Sequence, residues 1–510
     1  MLKLFGTDKS DHPFADIKEA RRVVAELPGA DPVKALDELT HWIESVRSEE
    51  TFKPEHRAAL VQILDEAAQG PIRKLSREYL SSSRLSKQRE HQLWTAIYAY
   101  YKQSALAFAG SLEAYVLGMK GADALKGYVP VFAVRGLRAV AAQIKWLHVR
   151  YGPLDESLWA MVNRIYAIVE TKGFARQRVT PYPGVPAEST PEFEFVRTVM
   201  FEACSPDSLL PLEIELAERL IAQFSPMFVM AAQPQPDTAY WLDVARPEAP
   251  TRMQRPPAHA SIGLRFFSGG KAFAEIERLA QSIRASREIP VDINLGGAYP
   301  AEAVLHVLDH LQMHWSPKLP ERKHQRHRVK SRLTVAFGFD GALDALEPEN
   351  SLTFDGSNRE SWIVENVSAG GFGALIPQVK GDWLRIGCIV ALQPEGGDNW
   401  LLGVIRRLSR PTLHQAQVGI QTIARGARPV ALRVQVGDVL SRDHERGIVI
   451  AAQPSDADIQ LVLRSGVHEP GLRFVLEEGG ARTVLLSIAP LERGADFELL
   501  RCRQQVRDAA

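Results

Sequence analysis

Residues Ser361–Pro377 read SWIVENVSAGGFGALIP. Trp362, Ile363 and Val364 bring in one apolar strand, and Phe372, Ala374, Leu375 and Ile376 carry out another. Between them stand Asn366, Ser368, Gly370 and Gly371. The pair predicts a β-hairpin whose corner is unusually polar and small. Working outward, the flanking sequence keeps the same character. RLTVAFGF, CIVALQP, NWLLGVIRRL and AQVGIQTI also read as strands separated by turn residues. Six consecutive short strands from Lys318 onward predict a small antiparallel barrel. A second series follows: VALRVQVGDVL, GIVIAA, IQLVLRS, GLRFVLE, RTVLLSIAPL and FELLRC. It predicts another small all-β unit.

The first half has a different period. In QLWTAIYAYYKQSALAFAGSLEAYV, residues Trp94, Ile97, Tyr98, Tyr101, Ala105, Phe108, Leu112 and Tyr115 recur at helical spacing. Leu137, Val140, Ile144, Leu147 and Tyr151 repeat the pattern, as do Leu158, Met161, Ile165 and Ile168 after a break at Gly152-Pro153. Further helices are expected at 36–48, 56–69, 70–83, 190–204 and 209–224, packed as a bundle or an irregular solenoid. The proline-rich stretch MAAQPQPDTAYWLDVARPEAPTRMQRPPAHAS breaks the pattern and reads as a boundary or long connection. A short strand (IGLRFF) and helices near 270–286 and 299–315 follow it.

The 510 residues allow roughly three domains. Lysine plus arginine and aspartate plus glutamate each total 61, so no global field points to a nucleic acid polymer or a membrane surface. Any anion site must be local. Cys204, Cys388 and Cys502 form no CxxC, which fits a reducing compartment and disfavours a zinc ribbon. The opening MLKLFGTDKS has no apolar core of a signal peptide. No apolar run approaches the roughly 20 residues of a membrane span. These features predict a cytoplasmic protein. No P-loop, nucleophile elbow or strand-linked GxGxxG is present, and no carboxylate pair has a convincing catalytic spacing, so no enzymatic activity is expected. His306, His310 and His314 are spaced for metal sharing on one helix, but without the glutamate of HExxH they read as the polar face of that helix.

The local cation source lies just before the first barrel strand. KLPERKHQRHRVKSR, residues 318–332, holds seven lysines and arginines against the single acid Glu321. A basic run by itself reads as a solvated linker. Here it carries arginines spaced by four, Arg322 and Arg326, at the mouth of a barrel. A guanidinium binds phosphate or a guanine edge with two parallel bonds and stacks on a base. Asn366 can accept from a guanine edge and Ser368 can donate to phosphate or ribose. Gly370 and Gly371 let a flat ligand come close. These groups suit a ligand with guanine bases and phosphate charge.

RxxxR before a six-stranded barrel, then [D/N]xSxxG after a later strand, resembles the PilZ domain, a bacterial receptor module for cyclic di-GMP. Asn366, Ser368 and Gly371 match the second motif, and Val418-Gly419-Ile420 loosely matches the family's closing strand. The resemblance covers about residues 320–425. It implies cyclic di-GMP as ligand, no other cofactor and no metal, with Arg322, Arg326, Arg328, Asn366, Ser368, Gly370 and Gly371 as the candidate site. Arg328 enters because Arg328 and Arg332 form a second RxxxR. We prefer Arg322 and Arg326, since Arg332 runs straight into a strand and leaves no leader to fold over a ligand. An insertion, GALDALEPENSLTFDGSNRE, separates the first strand from the second.

The expected fold is multidomain α plus β: an all-α helical domain (1–235), a mixed linker or α/β segment (236–317), a PilZ-like six-stranded antiparallel barrel (318–428) and a second all-β unit (429–510). The expected function is that of a cyclic di-GMP effector. A helical half would dock an unknown protein partner and regulate motility, attachment or exopolysaccharide. The alternative is an interaction scaffold whose barrel has lost its nucleotide.

Overall fold

The computed structural model describes residues 11–81, 85–184, 187–318, 324–347, 359–381, 383–437, 439–450, 458–469, 471–478 and 481–507. These residues form two units. One comprises residues up to 320, apart from 151–153 and 207–209. The other comprises 321–510 together with those two short segments.

The first unit opens with eight helices: α1 (Ile17–Glu26), α2 (Pro32–Ser48), α3 (Pro54–Ser81), α4 (Lys87–Val116), α5 (Val129–Val149), α6 (Glu156–Thr171), α7 (Pro191–Glu202) and α8 (Pro211–Phe224). Their starts are written locally. Asp31, Ser86, Asp155 and Thr190 each accept a backbone N–H of the first turn, and Pro32 and Pro191 occupy first-turn positions whose N–H needs no partner. The sequence splits 56–83 into two helices at Gly70-Pro71, whereas α3 runs through both. Pro71 costs a helix interior about 3 kcal/mol. Val61, Leu64 and Ala68 before it and Ile72, Leu75 and Tyr79 after it share one buried stripe. Burying a large apolar side chain contributes about 1.5–3 kcal/mol each, so the stripe outweighs the proline. α5 is buried almost all round and forms the centre of the unit.

The proline-rich stretch, read as a connection, carries strands. β1 (Val229–Ala231), β2 (Tyr240–Asp243), β3 (Thr251–Arg252) and β4 (Leu264–Ser268) form one sheet in the order β1-β4-β2-β3. α9 (Gly270–Ser286) and α10 (Ala301–Trp315) follow. Of the three histidines on α10, His310 is not on a solvated face. It is buried, with Nε2 2.5 Å from the Cys204 carbonyl, while His306 Nδ1 lies 2.7 Å from Glu213. Among the described residues no group of three His, Cys, Asp or Glu is placed to hold a metal, and no helix is long and apolar enough to cross a membrane. The three cysteines are buried and none is in a disulfide.

The second unit contains two closed barrels. The first comprises β5 (His327–Phe337), β6 (Arg359–Ser368), β7 (Gly371–Ile376), β8 (Ile389–Pro394), β9 (Leu401–Ser409) and β10 (Ala416–Ala424), with helix α11 (Gly338–Leu346) between β5 and β6. The insertion that the sequence left without structure therefore begins as a helix. The second barrel comprises β11 (Ala427–Val436), β12 (Val439–Ile450), β13 (Asp458–Arg464), β14 (Arg473–Glu478), β15 (Ala481–Arg493) and β16 (Phe497–Arg507). VALRVQVGDVL, read as one strand, is a hairpin, because Gly437 takes a positive φ of 59° and turns the chain.

Both barrels follow the same circuit. Numbering each barrel's strands one to six, the closed order is 1-4-5-6-3-2 in both. The second barrel is thus a topological repeat of the first. The two share a core through α11, where Phe339, Ala342 and Leu343 pack with Leu402 and Val404 of one barrel and with Ile448, Val462 and Phe497 of the other. Asp496, in the β15–β16 turn, accepts from the N–H of Phe339 at 3.1 Å and of Ile389 at 3.0 Å, so one carboxylate caps α11 and ties it to β8.

Candidate functional site

The hairpin β6–β7 explains its own polarity. β6 continues through Asn366 to Ser368, and Ser368 pairs directly with Gly371. The turn is only Ala369-Gly370, tighter than the corner spanning 366–371 that the sequence led us to expect. Asn366 and Ser368 are therefore strand residues two apart, which places both side chains on one face. The two-residue spacing of the motif is the strand period.

A bulge in β6 between Val364 and Asn366 re-aims the asparagine. Its side chain lies over Gly373, where a Cβ would come within 2.5 Å of Asn366 Nδ2. Gly373 in turn pairs with Gly419 on β10. These two glycines form a flat floor, and the sequence reading missed Gly373. Its signal was alternation: Gly371 and Gly373 are two apart on one strand. The turn is anchored to β10 and its exit, with Thr422 N–H donating to Gly370 O at 3.0 Å and Arg425 Nη2 to Ala369 O at 3.1 Å. Ser368 Oγ accepts from Gly370 N–H at 3.3 Å and lies 3.4 Å from Gly371 O. Both are long bonds, which leaves the hydroxyl available to a better partner.

Gly371 has a different task from Gly370. A Cβ on Gly371 would stand 1.9 Å from the carbonyl oxygen of Ile420, inside the β7–β10 ladder. A Cβ on Gly370 would meet only the ring of His324, at 3.0 Å, and that ring belongs to the exposed basic leader. Thus Gly371 permits strand pairing and Gly370 permits the leader to lie against the turn.

A cavity of about 400 Å³ opens over this floor. Arg326, Asn366, Ser368, Gly370 and Gly371 all line it. Arg326 is exposed and has no hydrogen-bond or ion-pair partner among the described residues. Arg322 lies outside the described residues. Arg328 is not in the lining. It sits on β5 opposite Asn366, because β5 begins at His327, upstream of the start at Arg332 that the sequence indicated. Arg332 is also in β5, and its guanidinium reaches Ser361 Oγ at 3.3 Å.

Arg406 and Arg407 on β9 add two cations that no motif indicated. Arg406 donates to Gln421 Oε1 at 2.8 Å and forms a two-point ion pair with Glu492 of the second barrel, one arm at 2.7 Å. Arg407 pairs with Asp207. No single segment encodes these arginines as part of the site, since β9 meets β7 only through β10. The arrangement therefore offers guanidinium forks, a hydroxyl and an amide around a flat glycine floor. It suits a planar, anionic ligand.

Because Glu492 places a negative charge beside this cavity, Glu492→Gln should strengthen binding of an anionic ligand by a few-fold. The gain should shrink as salt rises, as for any partly exposed charge effect. Calorimetry at two ionic strengths checks it; equal affinity for both proteins at low salt would show that Glu492 does not compete for Arg406.

Comparison with known families gives two matches. Residues 18–235 match the N-terminal domain of the cyclic-di-GMP receptor FimW, and residues 355–429 match the middle PilZ domain of the same receptor. The second match covers β6 to β10 and the start of β11, and so contains the hairpin, the glycine floor and both β9 arginines. No curated protein matches the chain.

Proposed function

We propose, for a chain that carries a PilZ domain and is matched along its helical half by the same family of cyclic-di-GMP receptors, that cyclic di-GMP binds in the cavity above the β6–β7 hairpin. The observation that carries this reading is the convergence of Arg326 from the leader with Asn366, Ser368, Gly370 and Gly371 around one opening. In it Arg326, with Arg322 preceding it in the leader, takes the phosphates or stacks on a guanine. Asn366 reads a guanine edge, and Ser368 exchanges its long internal bonds for one to the ligand. Arg406 adds charge from β9. The protein then acts as a binding effector in the cytoplasm rather than as an enzyme.

The leader joins α10 to β5, so a ligand that holds Arg326 against the hairpin also fixes that connection. The change becomes output only through a ligand preference for the fixed leader over the free one. The helical half is the part that docks a protein partner, and the behaviours regulated are motility, attachment or exopolysaccharide. Titration calorimetry of the full chain with cyclic di-GMP, against GTP and cyclic AMP, tests the binding. Saturable binding of cyclic di-GMP alone is expected; no heat with any of the three would favour a scaffold that has lost its nucleotide. Slower amide exchange at 324–332 with ligand is the matching expectation for the leader.

Ser368→Ala should weaken binding by about threefold to tenfold, the scale of one net hydrogen bond of 0.5–1.5 kcal/mol. The fold should be unaffected, since its internal bonds are long. Unchanged affinity in that titration would remove Ser368 from the site.

A further inference from the structure

The first unit contains a second cavity, of about 390 Å³, among α3, α4, α5, α7 and α8. That is within the range of about 300–1,000 Å³ typical of small-molecule sites. Unlike a gap between apolar helices, it is walled by charge. The small side chains Ala139, Ala141 and Ala142 on α5 keep it open.

Its buried carboxylates are already occupied. Asp65 is 1% exposed and accepts from the Tyr100 hydroxyl at 2.7 Å, from Ser104 Oγ at 3.0 Å and from Arg135 at 3.4 Å. Glu194, 3% exposed, serves two guanidiniums at once, Arg138 at 2.7 Å and Arg197 at 2.9 Å, and also accepts from Ser189 at 2.6 Å. Lys145 lies between Glu215 at 2.8 Å and Glu218 at 2.5 Å. The Glu215 carboxyl is held well below its usual range because the ammonium of Lys145 and the guanidinium of Arg219 outweigh its burial.

The donors are not all occupied. Arg197 spends one amino group on Glu194 and keeps the rest of its fork. Arg73 lines the opening and has no partner among the described residues. The Tyr101 hydroxyl also lines it without a hydrogen-bond partner among them, and burial raises its pKa, so it stays a donor at neutral pH. The buried carboxylates Asp65 and Glu194 are each held by several donors while Arg73, part of the Arg197 fork and the Tyr101 hydroxyl are left over, a donor surplus that suits an incoming acceptor. Arg73 is solvated rather than buried, so it can meet an incoming anion at the opening without first breaking an ion pair.

We infer that this cavity in the helical unit binds a small organic anion bearing carboxylate or phosphate groups, held by Arg73, Arg197 and Tyr101. The site is separate from the barrel cavity and would give the protein a second chemical input.

The test uses the full chain in an Arg326→Ala background, which weakens the proposed barrel site, with citrate and inorganic phosphate as the two probes. Calorimetry should show saturable binding of at least one of them, and the probe that binds identifies the preferred group. Adding Arg73→Gln should weaken that binding tenfold or more. Arg73 is exposed, so the fold should survive the change. Ala141→Leu, which leaves every charge in place and fills the opening, should weaken it as well. Binding of neither probe overturns the inference, as does binding that both variants retain at full strength. Cyclic di-GMP affinity of Arg73→Gln in the otherwise native chain should equal that of the unaltered protein, so failure here and failure of the barrel reading remain distinct.

Discussion

Arg326→Ala should weaken cyclic di-GMP binding by about 10- to 100-fold, the loss of a charge-assisted hydrogen bond of about 1.5–3 kcal/mol. Arg326 is the leader arginine that the described structure brings to the cavity, and it is not committed to any other group there. Arg326→Lys should be nearly as harmful. The lysine keeps the charge but loses the planar fork that makes two parallel bonds and stacks on a base. Arg328→Ala, on β5 and outside the lining, should change affinity by less than about threefold, as for a surface charge that contributes only to the field. Calorimetry on the three variants decides the register of the arginine motif. A damaging Arg328→Ala beside a silent Arg326→Ala would assign ligand recognition to the strand arginines.

Gly371→Val should unfold or loosen the first barrel rather than merely close its cavity. The added Cβ would fall 1.9 Å from the Ile420 carbonyl oxygen, which belongs to the backbone of β10 and cannot rotate away. The β7–β10 ladder must separate at that point, at a cost of about 3 kcal/mol or more, the scale of a severe core substitution. Ligand binding is then lost as a consequence. Gly370→Ala, which meets only the mobile end of an exposed histidine side chain, should keep the fold. Thermal unfolding separates the two, with a clear drop in midpoint for Gly371→Val and little change for Gly370→Ala. A Gly371→Val protein that melts like the parent would mean that β7 tolerates the intrusion.

The sequence alone determined the classes of the two halves, because period in apolar residues is a local property of the chain. It placed α9 over 270–286 and all six strands of the first barrel. It also singled out the hairpin of Asn366, Ser368 and Gly371, since a plain turn explains glycines but not an amide and a hydroxyl at fixed offsets; the structure places Asn366 and Ser368 on β6 and gives Gly371 to strand pairing. Tertiary structure decided the rest, because those features depend on contacts between segments distant in sequence. Pro71 sits inside a helix because a buried stripe continues on both sides of it. The start of β5 at His327 is set by pairing with β6, and that pairing removes Arg328 and Arg332 from the leader. Gly373 matters only because Asn366 crosses over it from the neighbouring strand. Arg406 and Arg407 enter the cavity only after β9 folds beside β10. The cavity between the helices stayed hidden for the same reason. Its cations and acids lie on α3, α4, α5, α7 and α8, each an ordinary polar residue until packing brings them around one opening.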